Sequence, residues 1–227
     1  QRRGQNARYL YAMVFDLDGV LADTEPVYQA MRTEYLSRFG VTLTPEQSRA
    51  FTGLRFLTGL EMLRAELPET VFRKIQEGFH PWEIDHAGYL RAAVPEVLDQ
   101  LRLAGLKTAI ASNSTPERIA RFLETGHLQG RFDAVCSGAD FGRGKPEPDV
   151  YLAACRQLGL PGAACAAVED SDYGLLAARR AGCQVICLID RRFGFHQTTA
   201  DIWVQNLSEV PKAVRALDKM EGSHHYE

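Results

Sequence analysis

Apolar and polar residues along this chain follow two different rhythms, and the chain changes from one to the other twice. Residues 9–15 form a short continuous apolar run, with the length and composition of a buried strand. Asp16, Asp18 and Gly19 then break it. Beyond residue 25 the spacing becomes helical. Tyr28, Met31, Tyr35 and Phe39 recur three or four apart after Pro26, and Gly40 is a natural stop. Thr44 followed by Pro45, Glu46 and Gln47 predicts a capped helix start. Leu57, Leu60, Leu63 and Leu67 continue the period up to Pro68, and Val71, Phe72, Ile75 and Phe79 take it further. No strand is predicted in this block.

From residue 93 the second change begins. Helices over 95–105, 116–126, 148–158 and 173–181 alternate with strands over 106–111, 132–136, 164–168 and 184–189. Strands alternating with helices of roughly ten residues predict a parallel sheet with right-handed crossovers. The fold class expected is therefore α/β: a Rossmann-like parallel sheet core, residues 1–24 and 92–227, with an inserted all-helical unit at 25–91.

Composition changes this picture little. Of 227 residues, 45% are hydrophobic and 24% charged, as in an ordinary soluble protein. Net charge is −3 and the longest basic run seen is Arg191-Arg192, so nucleic acid and anionic membranes are not expected partners. The apolar stretches are too short to span a membrane. Gln1-Arg2-Arg3 is basic, but the apolar run after it ends at Asp16, so no signal peptide is expected. His224-His225 stands outside the candidate site. Cys136, Cys155, Cys165, Cys183 and Cys187 form no C-x-x-C and are odd in number, which reads as free thiols in a reducing compartment, the cytoplasm. A monomer is the default.

The candidate chemistry lies where polar residues interrupt the strand pattern. Asp16 and Asp18, two apart, can face one spot beyond the first strand, although two aspartates capping a turn would look the same. Ser112 follows the second strand, Lys145 lies in the loop after the third, and Glu169-Asp170 follows the fourth. Ligands of open parallel sheets bind outside those carboxyl ends, and six polar groups converging there exceed what capping requires. Asp16 is suited to be a carboxylate nucleophile. The other acids call for a cation such as Mg²⁺, which takes carboxylates, waters and phosphate oxygens. Lys145 and Ser112 suit a phosphoryl group, and Asp18 can protonate a leaving oxygen and later activate water.

These residues resemble the haloacid dehalogenase superfamily along nearly the whole chain. Asp16-Leu17-Asp18-Gly19-Val20-Leu21-Ala22-Asp23-Thr24-Glu25 is similar to its first motif, Ser112-Asn113-Ser114 to its second and Lys145-Pro146-Glu147-Pro148 to its third. Glu169-Asp170-Ser171-Asp172-Tyr173-Gly174 is similar to its fourth. The resemblance implies Asp16 as nucleophile and Asp18 as general acid and base, with Ser112, Asn113 and Lys145 holding the phosphoryl group. It implies Mg²⁺ on Asp16, the Asp18 main-chain carbonyl and Asp170, with Glu169 as ligand or neighbour. The helical insert would be a cap that selects a small phosphorylated substrate. An acid at position 18 argues for phosphate esters over haloacids or phosphonates.

Within that family the members most alike are sugar-phosphate phosphatases and beta-phosphoglucomutase. The mutase carries a His shortly after the Thr of its first motif, and Tyr28 stands there instead, which favours hydrolysis. Gly53 and Arg55 fall where a substrate-selecting loop is expected, although Arg55 could equally be a solvated side chain. Trp82 could stack on a sugar or pack within the insert; His80, Glu83 and His86 are similarly open. Residues 139–145 approximate a P-loop, but Pro146 replaces its Ser or Thr. A receiver-like signalling module would also pair acids, Lys and Mg²⁺, but needs no insert after its first strand.

Overall fold

In the computed structural model residues 9–222 are described; Gln1-Arg2-Arg3 and His224-His225 lie outside them. At its centre is β1 (Ala12–Phe15), buried throughout. Met13 and Phe15 enter one hydrophobic cluster, Ala12 and Val14 another, as alternation along a strand requires. A strand apolar on both faces belongs inside a sheet covered on both sides. The strand is shorter than its apolar run because Tyr9 and Tyr11 are exposed.

β1 pairs with β2 (Lys107–Ser112) and β4 (Cys165–Glu169), and β3 (Ala134–Ser137), β5 (Gln184–Leu188) and β6 (Ile202–Val204) complete the order β3-β2-β1-β4-β5-β6, all parallel. Strand order reverses between β1 and β4, which opens a crevice at their carboxyl ends. Register sets Phe15 beside both Ile110 and Val168, so Asp16 and Glu169 emerge level with each other.

Helices α5 (Val94–Leu103), α6 (Pro116–Thr125) and α9 (Val210–Gly222) cover the face that holds Phe15. Helices α7 (Asp149–Leu158) and α8 (Asp172–Arg180) cover the other, where Ala109, Ala111, Ala154, Ala167 and Ala178 keep the contact thin. All five cysteines are free and buried in that second layer, where they act as small apolar side chains. The sequence reading stopped at the fifth strand. β6 is only three residues long with Trp203 exposed at the sheet edge, so it carries almost no alternation to read. Among the described residues, no helix is long and apolar enough to cross a membrane.

Between β1 and α5, helices α1 (Glu25–Ser37), α2 (Pro45–Phe51), α3 (Phe56–Met62) and α4 (Glu69–Gly78) surround a third cluster built on Leu36, Phe51, Phe56, Leu60, Phe72 and Ile75. Thr44 and Gln47 cap α2 reciprocally, as its sequence predicts. The leucine period from 57 does not give one helix. α3 ends at Met62, a 3₁₀ turn follows at Arg64–Glu66, and Leu57 faces outward because Phe56 takes the buried position. The two chain crossings between these helices and the sheet run side by side: Asp23 N–H donates to Tyr89 carbonyl and Arg91 N–H to Leu21 carbonyl, each at 2.9 Å.

Candidate functional site

Asp16 stands at the end of β1, where its Oδ1 accepts from Leu17 N–H at 2.8 Å and meets Lys145 Nζ at 2.9 Å. Lys145 arrives from the loop before α7 and is buried; it also donates to Ala111 carbonyl at 3.0 Å and to Glu169 Oε1 at 2.5 Å. Tyr151 Oη donates to the same Glu169 oxygen at 2.5 Å. The ammonium therefore ties the ends of β1, β2 and β4 together. Burial alone would lower its pKa, but Asp16 and Glu169 more than reverse that and hold it charged.

Three acids share this one cation. Asp16, Glu169 and Asp170 each bring a carboxylate oxygen to within 4.8 Å of the others. Burial first, then the Glu169 charge, push the Asp16 and Asp170 carboxyls well above the usual carboxylate range, and Lys145 only partly opposes this. Glu169 Oε2 is buried with no hydrogen-bond partner. An orphaned oxygen among crowded carboxylates fits a hard, oxygen-seeking cation. The backbone is shaped around these acids: Gly19 has φ of +85°, and a Cβ there would overlap the Asp170 carboxylate. A Cβ at Gly174 would overlap Glu169.

Asp18 is held by a separate set of side chains. Thr24 Oγ1 donates to its Oδ1 at 2.7 Å, Ser114 Oγ donates to its Oδ2 at 2.9 Å, and His86 Nε2 meets Oδ1 at 2.9 Å. Burial would raise its pKa, but the bonds from His86, Thr24 and Ser114 prevail and lower it. His86 in turn lies 3.1 Å from both Tyr28 Oη and Ile84 carbonyl.

Above these groups is a cavity of about 470 Å³ between the sheet and the helical insert, with Asp16, Asp18, Asp170 and Lys145 among its lining residues. Its opposite wall is aromatic. Phe56, Phe79 and Trp82 line it while packing on one another, with Phe56 and Phe79 stacked at 4.2 Å. Arg32 and Glu25 also line it; both are buried, their Nη2 and Oε1 are 3.6 Å apart, and neither atom has a hydrogen-bond partner. Burial pushes the Glu25 carboxyl up to about 7, the Arg32 charge opposing.

The structure brings Gly53, Arg55 and Asn113 to this cavity as well. Gly53 has φ of +82° and packs on the Ser171 side chain. Arg55 is not simply solvated: its guanidinium donates to Gly138 carbonyl, bridging insert and sheet. Asn113 Oδ1 accepts from Lys145 N–H at 3.3 Å. Ser112 is fully buried beneath the cavity, its Oγ accepting from Ser114 N–H at 3.1 Å. Trp82 packs within the insert and also lines the cavity, while His80 and Glu83 are exposed. The basic pair is partly engaged, since Arg192 binds Asp190 and Asp23, each at 2.7 Å.

Several neighbours escaped the sequence reading. His86 was one open candidate among four, and its contact with Asp18 spans 68 residues. Arg32 stands on a helix face that periodicity assigns to packing, Arg118 in the first turn of a predicted helix, and Phe195 beyond the last predicted strand. Only Glu25 carried a motif signal.

Comparisons with known proteins agree with this arrangement. Residues 13–188 match the haloacid dehalogenase-like hydrolase family. The chain is 31% identical over 192 residues to Protein CbbY of Rhodobacter capsulatus, covering 78% of this chain and 84% of that one. It is 28% identical over 217 residues to hexitol phosphatase B of Escherichia coli K12, covering 89% and 95%. Among solved structures, beta-phosphoglucomutase from Clostridium difficile superposes with a TM-score of 0.72 at 16% identity, over 94% of this chain and 98% of that one, a likeness of fold. The family match runs from within β1 to the end of β5 and takes in every strand end that bears a candidate acid, so this chain belongs to the haloacid dehalogenase-like hydrolases.

Proposed function

We propose that this hydrolase is a Mg²⁺-dependent phosphatase of a small sugar or polyol phosphate, working through an aspartyl-phosphate on Asp16. One observation carries the reading: the Asp16 carboxylate meets Lys145 at the floor of a cavity that Asp18 also lines. An Asp16 oxygen attacks phosphorus, the ester P–O bond breaks, and the departing alkoxide takes a proton from Asp18, which has to enter this step protonated against the lowering effect of its His86, Thr24 and Ser114 bonds. Water then attacks phosphorus and gives a proton to Asp18 as the Asp16–phosphorus bond breaks. Lys145, Ser112 and Asn113 hold the phosphoryl group throughout. Asp16, the Asp18 carbonyl and Asp170, with Glu169 as ligand or neighbour, would hold Mg²⁺, which when bound would supply neutralising charge for the phosphoryl group.

Residues 25–91 act as a cap on a core made of 1–24 and 92–227, and substrate is chosen between them. The Arg32–Glu25 pair favours a hydroxylated substrate, because a hydroxyl can accept from Nη2 and donate to Oε1, which meet each other only at ion-pair distance and have no hydrogen-bond partner. The name of the hexitol phosphatase relative points the same way. We assign the protein to the cytoplasm on its five free, buried thiols, and take it as a monomer with no nucleic acid or membrane partner.

A second reading, a sugar phosphomutase, gains from one observation. The sequence argument against it rests on Tyr28 in place of a His, yet His86 brings an imidazole to Asp18 from the other side of the insert. Family membership and the enclosed cavity favour both enzymes over a receiver-like module.

The test is phosphate release from sugar phosphates, polyol phosphates, nucleotides and phosphoglycolate, with Mg²⁺ or EDTA, against Asp16→Asn. Metal-dependent release that disappears in the variant is expected. Conversion of beta-glucose 1-phosphate to the 6-phosphate without release would favour the mutase.

A further inference from the structure

The geometry points to His86 as the positioning residue for Asp18, clamping the acid to the returning crossing between insert and sheet; this rests on the phosphatase reading above. His86 belongs to a 3₁₀ turn, His86–Tyr89, that no sequence period announces. His86 is 4% exposed and lines a smaller neighbouring cavity of about 200 Å³ rather than the one that holds Asp16, so it reaches the substrate there through another side chain. Ile84 carbonyl is an acceptor only, so Nδ1, 3.1 Å away, carries a hydrogen and fixes the ring plane. Nε2 is left facing Asp18 Oδ1 at 2.9 Å and Tyr28 Oη at 3.1 Å. With Nδ1 protonated, the Nε2–Oδ1 contact holds one hydrogen, whichever atom bears it.

The three holders of Asp18 come from three places. Thr24 lies on the outgoing crossing, Ser114 on the loop after β2, and His86 just before the returning crossing. The crossings are joined by the Asp23–Tyr89 and Arg91–Leu21 backbone bonds. Asp18 therefore keeps this orientation only while the insert sits as it does here, and His86 is the contact that transmits the insert's position. Removing it leaves Thr24 on Oδ1 and Ser114 on Oδ2, and takes away the bond by which the returning crossing holds the carboxyl plane. Proton delivery to a leaving oxygen demands alignment, and small misplacements are costly.

The test separates proton delivery from general damage. In single-turnover experiments with Mg²⁺, an alkyl phosphate needs a proton on its leaving oxygen, while p-nitrophenyl phosphate leaves without one. His86→Ala is expected to slow the first turnover of the alkyl ester by about 10- to 100-fold, with the nitrophenolate burst nearly unchanged. His86→Gln, whose amide can still bond Asp18, should recover part of the loss. Equal loss on both esters, or no loss on either, overturns the assignment. So does a crystal structure of His86→Ala with the Asp18 carboxyl unmoved. A wild-type protein that releases phosphate from neither ester contradicts the phosphatase reading itself, which is a different failure.

Discussion

The floor of the cavity and its roof differ in how their polar atoms are satisfied. On the floor, Lys145 bonds Asp16, Glu169 and Ala111 carbonyl, both oxygens of Asp18 are engaged, and the unpartnered Glu169 Oε2 sits among the carboxylates that would hold a cation. On the roof, Phe56, Phe79 and Trp82 pack on one another, while Arg32 Nη2 and Glu25 Oε1, which also line the cavity, face each other at 3.6 Å with no hydrogen-bond partner for either. A hydrogen bond left unmade in the free protein is one a ligand can make, and its absence penalises the wrong ligand. The floor should thus serve any phosphate ester, and the roof should distinguish among them.

The floor breaks hardest at Lys145. Lys145→Met leaves Asp16 and Glu169 buried without their cation. Turnover is expected to fall about 10³-fold or more on every ester alike, with roughly 3–5 kcal/mol less stability. Activity on two unrelated esters and denaturant unfolding check this; a loss confined to one ester would erase the division.

The roof is tested next through pH. Glu25 has a folded pKa of about 7 against an ordinary 4.5, so the folded state holds its proton more tightly. The stability this contributes is complete below about 4.5 and is lost as pH rises through 7. Glu25→Gln should therefore be more stable than wild type at pH 8, by up to about 3 kcal/mol, with the gap narrowing in acid. Unfolding curves at the two ends of that range decide it. A smaller effect is expected from Arg32→Met: a drop of about 10- to 100-fold in kcat/KM on polyol phosphates, with p-nitrophenyl phosphate little changed.

What the sequence made legible follows the same division. Asp16, Ser112, Glu169 and Asp170 each end an apolar strand, and parallel strands bring their ends to one edge, so local pattern and topology suffice to gather them. Lys145 lies in the loop after β3, so its place was legible from topology, and motif resemblance added to it. Of the roof only Glu25 was legible, as the last residue of the first motif; Arg32 sits on α1 where helical spacing reveals a face but not what faces it. His86 meets Asp18 only because the two crossings lie side by side, a tertiary fact with no local trace. The criterion that looked for an imidazole at position 28 found Tyr28, while the imidazole that reaches Asp18 comes from residue 86. β6 was missed because three residues with Trp203 exposed carry almost no alternation.

The central claim is that Asp16 forms a covalent bond to the transferring phosphoryl group. It is tested most directly by acid-quenching the enzyme during turnover of a phosphate-labelled sugar phosphate with Mg²⁺ and mapping the labelled peptide. The account predicts label on the peptide containing Asp16 in wild type and none in Asp16→Asn. Label on any other side chain, or rapid turnover with no covalent label at any quench time, would contradict it.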